Sequence, residues 1–220
     1  MLDRLIFGHA IAERRSALRA HFDVKRQFEE IEESCVPSYV HANKAAAWVA
    51  WRRNKVAAKL YDQYAPAGPI LDFGAATGEV AQLIRKRGPY HIIEQDDLLA
   101  AACAKWQEIH RTTLEKAQPG AFAAMFALDS LEHNENIPVL VAQLMLLLRP
   151  DGVFILSGPT ETGLYKLGRR LAGFSGHYHH SNIFDIEEIV SKHCTMLEAR
   201  RVPLLPALFR VTAWQRNVGQ

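Results

Sequence analysis

Several features that would assign a protein to a class at once are scarce or absent from this chain of 220 residues. Its three cysteines, Cys35, Cys103 and Cys194, lie far apart and are odd in number. This excludes a disulfide framework and a CxxC metal pair. We therefore expect buried thiols in a reducing compartment and predict no metal site.

The chain also lacks a dominant charge and a long apolar run. The formal net charge is +2 and no run of five like charges occurs, so the composition does not indicate a nucleic-acid partner. The apolar stretch 139–148 is interrupted by Gln143 and is far shorter than the roughly 20 residues of a membrane span. The first residues mix acids and bases, unlike a secretory signal. We expect a cytoplasmic protein without a transmembrane segment.

What is present is enough apolar material for one sizeable core, since 49 % of the residues are hydrophobic. Residues 1–64 show apolar positions at helical spacing and predict a helical extension, which would serve as a lid or as a homodimer surface. The Pro- and Gly-rich stretch 65–69 marks the boundary to a second unit, 65–220.

From residue 69 onward, short apolar runs alternate with helical stretches. Strands are predicted at 69–73, 90–94, 108–112, 122–128, 152–157, 196–202 and 209–214, and helices at 79–87, 97–106, 137–148, 161–171 and 183–192. This alternation predicts an α/β fold with a Rossmann-like, doubly wound sheet of seven strands, mostly parallel with the last antiparallel.

The segment Ile-Leu-Asp-Phe-Gly-Ala-Ala-Thr-Gly-Glu-Val at 70–80 places an acid and a small-residue turn after the first strand. Ligands of such sheets bind outside the carboxyl ends of the strands. Glu79 stands where a dinucleotide loop has its third glycine, and no GK[ST] follows. A phosphate ligand is therefore disfavoured, and the ligand could carry positive charge because Asp72 and Glu79 are both near. Glu94, which ends the second strand, could accept both hydroxyls of a ribose.

Together with 122–133 and 147–157, these segments make residues 69–214 resemble the class I S-adenosylmethionine-dependent methyltransferases. The family's loop is acid-x-Gly-x-Gly-x-Gly, and here Ala76 takes the middle glycine's place. The resemblance implies S-adenosylmethionine as the cofactor. It implies these cofactor-binding residues: Asp72, Gly74, Ala75, Ala76, Gly78, Glu94, Gln95, Asp96, Thr113, Leu114, Leu128 and Asp129.

Histidines are the candidate catalytic bases because they titrate near neutral pH. His133 belongs to a Leu-Glu-His segment that resembles one found in small-molecule methyltransferases, and a second group resembles a stretch that caps the substrate pocket. An anchoring role for Glu132 and His133 is an equal alternative. The histidines of the second group are His177, His179 and His180.

The acceptor predicted from the resemblance is a small molecule or a glycan or lipid intermediate. No Asn-Pro-Pro-Tyr or Asp-Pro-Pro-Tyr tetrapeptide is present, which disfavours nucleic acid as the substrate. Two other functions stay open: a cofactor-binding regulator without catalysis and a dinucleotide oxidoreductase.

Overall fold

The computed structural model describes residues 2–23, 31, 34–160 and 182–217. The predicted helix at 161–171 and three of the candidate histidines, His177, His179 and His180, lie outside these residues. No described helix is long and apolar enough to cross a membrane.

Helices dominate the start of the chain. The four described there are α1 (Leu2–Phe7), α2 (His9–His21), α3 (Val36–Val40) and α4 (Lys44–Tyr64). Asn43 caps α4 by accepting a hydrogen bond from the Ala45 amide. The helical prediction for this region is confirmed where the structure describes it.

Strands and helices then alternate. The strands are β1 (Ile70–Phe73), β2 (Tyr90–Ile93), β3 (His110–Arg111), β4 (Phe122–Leu128), β5 (Leu148–Pro159), β6 (Cys194–Val202) and β7 (Phe209–Arg216). The helices between them are α5 (Asp97–Trp106), α6 (Ile137–Leu147) and α7 (Ile183–Ser191).

The strands form one sheet in the order β3-β2-β1-β4-β5-β7-β6. β7 runs antiparallel to both of its neighbours, and the other pairs are parallel. The predicted fold class is therefore confirmed. Strand order reverses between β1 and β4, so the ligand crevice of this fold lies at their carboxyl ends.

Both faces of the sheet are covered, which is why its central strands read as continuous apolar runs. On one face, Ile70 and Phe126 pack against Leu60 and Tyr61 of α4. On the other face, α6 and α7 cover Leu71 and its neighbours. The second half of α4 thus shares its core with β1, and the predicted boundary after residue 64 stays a prediction.

A third apolar cluster lies between the N-terminal helices and α5. It joins Leu18 and Trp51 to Leu99 and Ala102, with Ala76 of the small-residue turn packed at its edge. The N-terminal helices are thereby held over the end of the sheet where the crevice opens.

The helix predicted at 79–87 is wrong, since only a 3-10 turn, Val80–Gln82, forms there. Contacts with α4 and the residue after it take the polar groups that a longer helix would need. The Arg85 amide donates to Asp62 Oδ1 at 3.0 Å, and the Arg87 side chain donates to the carbonyls of Ala65 and Asp62.

Candidate functional site

The turn after β1 is tied to the tip of β4. Gly74 has a φ of 69°, and a Cβ there would lie 2.5 Å from the Ser130 Cβ, so only glycine fits. The Ser130 hydroxyl donates to the Phe73 carbonyl at 2.9 Å. Gly74 is exposed, which leaves its backbone open to a ligand in the crevice.

Ala76 occupies the middle position of the turn with a φ of 46°, a conformation that is strained for a residue with a side chain. Its amide donates to Glu94 Oε2 at 2.7 Å. Its methyl group packs against the cluster formed by the N-terminal helices and α5. An alanine at this position therefore contributes an apolar contact that glycine would lack.

Glu94 follows β2 and is oriented by two backbone amides. Oε2 accepts the Ala76 amide, and Oε1 accepts the Asp96 amide at 3.0 Å. A carboxylate oxygen offers about two acceptor positions, so each oxygen keeps one for a further donor. The half-buried carboxylate is thus set to accept a pair of neighbouring hydroxyls.

Asp72 lies beneath the turn, where it is buried and accepts a hydrogen bond from the Tyr90 hydroxyl at 2.7 Å. Burial raises the pKa of the Asp72 carboxyl to about 7, the Tyr90 hydrogen bond opposes this, and the nearby Glu94 carboxylate adds to it. Any contact of Asp72 with a ligand is therefore indirect. Asp72 pairs with Ile92 in the parallel register, and Tyr90, two residues before Ile92, lies on the same face of the sheet.

Hydrogen bonds hold the segment after β2 in place. Asp96 caps α5 by accepting the Leu99 amide at 3.0 Å, which gives it a structural role. Gln95 is exposed. The Arg111 guanidinium donates to the Glu94 carbonyl at 2.7 Å.

The other predicted cofactor residues lie around this crevice. Thr113 is exposed and Leu114 packs against the core cluster on the α6 and α7 face. Gly78 packs against α5, where an added Cβ would lie 2.5 Å from Cys103 Sγ, and Ala75 is buried. The contacts predicted between these residues and a cofactor stay predictions.

Glu79 does not present a free negative charge to a ligand in the crevice. Glu79 is buried and forms a two-pronged ion pair with Arg14 of α2, whose Nε and Nη2 lie 2.8 and 2.6 Å from its oxygens. The Arg14 guanidinium also donates to the Thr77 carbonyl and lies 3.7 Å from the centre of the Trp106 ring. The charge of Glu79 is therefore balanced inside the protein.

Asp129 stands at the tip of β4, where Leu128 is buried before it. It has a φ of 52°. One carboxylate oxygen accepts the Ser157 hydroxyl at 2.7 Å, and the other forms an ion pair with Arg53 of α4. Burial lowers the pKa of Arg53, but Asp129, Cys35 and Tyr39 together outweigh burial, and the net effect raises that pKa.

His133 ends a 3-10 turn, Leu131–His133, beside Asp129, and is half-buried, while Glu132 is fully buried. This places one candidate base at the crevice, and its catalytic role stays a prediction. In the described part of the chain, no three metal-ligating side chains come together.

Sequence reasoning missed Arg14 and Arg53 as parts of the site. Their partners are 65 and 76 residues away along the chain. A signal was present in α4, where Arg53 and Asn54 interrupt a stripe that includes Ala50 and Ala57. A polar residue on the buried side of a helix indicates a partner across the interface.

Comparison with known proteins identifies the family of this chain. Residues 48–192 match the family model described as a methyltransferase domain. The chain belongs to this family. The hypothesis of a dinucleotide oxidoreductase is therefore replaced by that of a methyltransferase.

Solved structures share the fold of the methyltransferase at low identity. The N-methyltransferase NodS from Bradyrhizobium japonicum WM9, in complex with S-adenosyl-L-homocysteine, has a TM-score of 0.62 at 13 % identity, covering 76 % of this chain and 87 % of NodS. The PH0226 protein from Pyrococcus horikoshii OT3 has a TM-score of 0.64 at 13 % identity, covering 86 % and 99 %. No curated protein matches the sequence.

The residues of the crevice fit S-adenosylmethionine, the cofactor that the sequence predicts. Glu94 has two acceptor positions left for the ribose hydroxyls, and the exposed backbone at Gly74 leaves room for the chain beyond the ribose. Asp72, when ionised, would add negative charge near the cationic end of the cofactor, whereas the charge of Asp129 is balanced by Arg53.

Proposed function

We propose that the methyltransferase transfers the methyl group of S-adenosylmethionine to a small molecule or to a glycan or lipid intermediate. The observation that carries this proposal is the Glu94 carboxylate, which two backbone amides hold beside the strained turn at the point where strand order reverses. When bound, the cofactor supplies a reactive methyl group, so the chemistry needs little help from the protein.

The work of this chain is to bind, to orient and to exclude water. Glu94 would hold the ribose, and the turn at 74–78 would leave room for the rest of the cofactor. Alignment of the acceptor with the methyl–sulfur bond can contribute about 7–11 kcal/mol through proximity. If the acceptor is a hydroxyl, His133 would take its proton as general base, which adds roughly a hundred- to ten-thousand-fold to the rate.

The N-terminal helices support a lid role over a dimer role. Arg14 of α2 contacts the turn at Thr77 and Glu79, and Arg53 of α4 contacts Asp129. These contacts cover the crevice from the side of the helices and would shield the reacting groups from water. A homodimer and a cytoplasmic location stay predictions.

Titration of the full chain with S-adenosylhomocysteine by calorimetry tests the proposal. We expect binding in the micromolar range and expect Glu94→Ala to weaken it about 10- to 100-fold, since charge-assisted hydrogen bonds to the ribose are lost. The matched control is Asp97→Ala, which removes a carboxylate three positions later whose side chain is 90 % exposed.

Two results would contradict the proposal in different ways. An unchanged affinity in Glu94→Ala removes the ribose clamp, and no binding by the wild type removes the cofactor site itself. Binding without turnover across a broad acceptor panel would support a regulator without catalysis instead.

A further inference from the structure

Arg53 lies at the edge of the crevice beyond the tip of β4. Its guanidinium contacts Asp129 at the tip of β4, and its central carbon lies 5.0 Å from the centre of the Phe209 ring at the start of β7. Since β5 lies between those strands, the guanidinium sits over β5. That is three strand spacings, about 14 Å, from the tip of β2 where Glu94 is.

One edge of this guanidinium makes few hydrogen bonds with the described residues. Nη1 pairs with Asp129, whereas Nε has no hydrogen-bond partner among the described residues. Among the described residues, the contacts of Nη2 are long ones, to Cys35 Sγ at 3.2 Å and to the Tyr39 hydroxyl at 3.4 Å. The edge formed by Nε and Nη2 is one that arginine offers side-on to an oxyanion.

In Arg14, the corresponding Nε and Nη2 edge is paired with a carboxylate. Its Nε and Nη2 both donate to the Glu79 carboxylate, at 2.8 and 2.6 Å. Both arginine side chains are buried, with 6 % exposed for Arg14 and 2 % for Arg53. A buried donor without a partner costs free energy. An acceptor atom of a bound ligand would therefore stabilise the unpaired edge of Arg53.

A second buried polar group points to the same place. Asn54 follows Arg53 on α4 and is 1 % exposed. It lies beside the Tyr39 hydroxyl, but without hydrogen-bond geometry, and neither its amide nitrogen nor its amide oxygen has a partner among the described residues. Two adjacent residues of α4 thus hold unused hydrogen-bonding groups next to Tyr39.

We propose that Arg53 and Asn54 form a subsite for a carboxylate carried by the methyl acceptor. This inference rests on the proposed function and narrows its acceptor to small molecules with a carboxylate near the methylated atom. Because Asp129 already balances the charge of Arg53, a group with a single negative charge fits better than a phosphate, which carries nearly two at neutral pH.

The carboxylate of the cofactor's own methionine end is the competing source. A ribose held by Glu94 at β2 would direct that chain over β1 towards β4, whose tip residue Asp129 pairs with Arg53. Methylthioadenosine, which lacks the amino-acid end, separates the two sources by experiment.

The test uses the full chain saturated with S-adenosylhomocysteine and probes it by saturation-transfer NMR. The probes are small carboxylates and their primary amides, with benzoate and benzamide as one matched pair. We expect the carboxylates to bind more tightly than the amides. Arg53→Lys keeps the charge beside Asp129 but loses the fork, and it should weaken carboxylate binding at least tenfold.

Two further variants complete the design. Asn54→Leu removes the amide without touching a charge, and it should also weaken carboxylate binding, which keeps the test valid if Arg53→Lys does not fold. Arg149→Lys is the matched control, because Arg149 pairs with Asp151 at the opposite end of β5 and should leave binding unchanged.

Three outcomes overturn the inference: equal binding of carboxylates and amides, no binding of either, or unchanged carboxylate binding in both Arg53→Lys and Asn54→Leu. It is also overturned if Arg53→Lys weakens S-adenosylhomocysteine binding but leaves methylthioadenosine binding unchanged, since Arg53 would then serve the cofactor. The proposed function fails separately, and only if the wild type does not bind S-adenosylhomocysteine.

Discussion

In the part of the chain that the structure describes, two residues other than glycine, Ala76 and Asp129, adopt the left-handed backbone conformation, with φ values of 46° and 52°. One lies just past the carboxyl end of β1 and the other at the end of β4, on either side of the crevice. Such strain persists only where the surroundings hold it in place, and it clusters at functional sites. For Ala76 the surroundings are the Glu94 carboxylate and the apolar cluster of the N-terminal helices.

Asp72 makes cofactor binding depend on pH. Burial raises the pKa of its carboxyl to about 7, so this group is mostly protonated at pH 6 and ionised at pH 8. A cationic cofactor favours the ionised form. We expect the affinity for S-adenosylmethionine to rise about tenfold between these pH values, measured by calorimetry, and expect Asp72→Asn to flatten the dependence.

The same group shifts stability in the opposite direction. Because the folded protein holds the Asp72 proton more tightly than the unfolded chain, its contribution to the free energy of unfolding is largest below about pH 4 and is lost as pH rises through about 7. A pH slope of affinity that is identical in the wild type and in Asp72→Asn would contradict this account.

At the scale of elements, α2 is fastened to the turn after β1 by Arg14. The guanidinium joins Glu79 and the Thr77 carbonyl on one side and the face of Trp106 on the other. The Arg14 guanidinium therefore joins α2, the turn after β1 and α5. The order of the turn depends on a helix that precedes it by some 60 residues.

Arg14→Met should lower the free energy of unfolding by about 3 kcal/mol, since Glu79 would stay buried without its counter-charge. Urea denaturation followed by circular dichroism measures this loss. Combining Arg14→Met with Glu79→Gln should restore most of it, because neither charge then remains unpaired. A loss below about 1 kcal/mol in Arg14→Met alone, or no recovery in the double variant, would show that the pair is not holding α2.

At the scale of the whole molecule, the sheet and the tips of its strands could be predicted from sequence because their signals are local. The apolar run of β4 and the acid after β2 are visible in short windows. Strand β3 is shorter than predicted, and β5 begins four residues earlier, at Leu148 directly after α6.

What could not be predicted depends on contacts between distant segments. Arg14 and Arg53 look like ordinary helix residues until the fold brings them to Glu79 and Asp129. The helix expected at 79–87 was lost for the same reason, since Asp62 of α4 takes the Arg85 amide. Propensity is a weak guide where tertiary contacts supply hydrogen-bond partners.

The central claim is that the adenosyl cofactor lies over the turn at 74–78 with its ribose on Glu94. A crystal structure of the full chain with S-adenosylhomocysteine at saturating concentration tests it most directly. The account predicts one ribose hydroxyl on each Glu94 carboxylate oxygen and the homocysteine chain running past Gly74 towards Asp129. An empty crevice, or the ligand bound elsewhere, would contradict it.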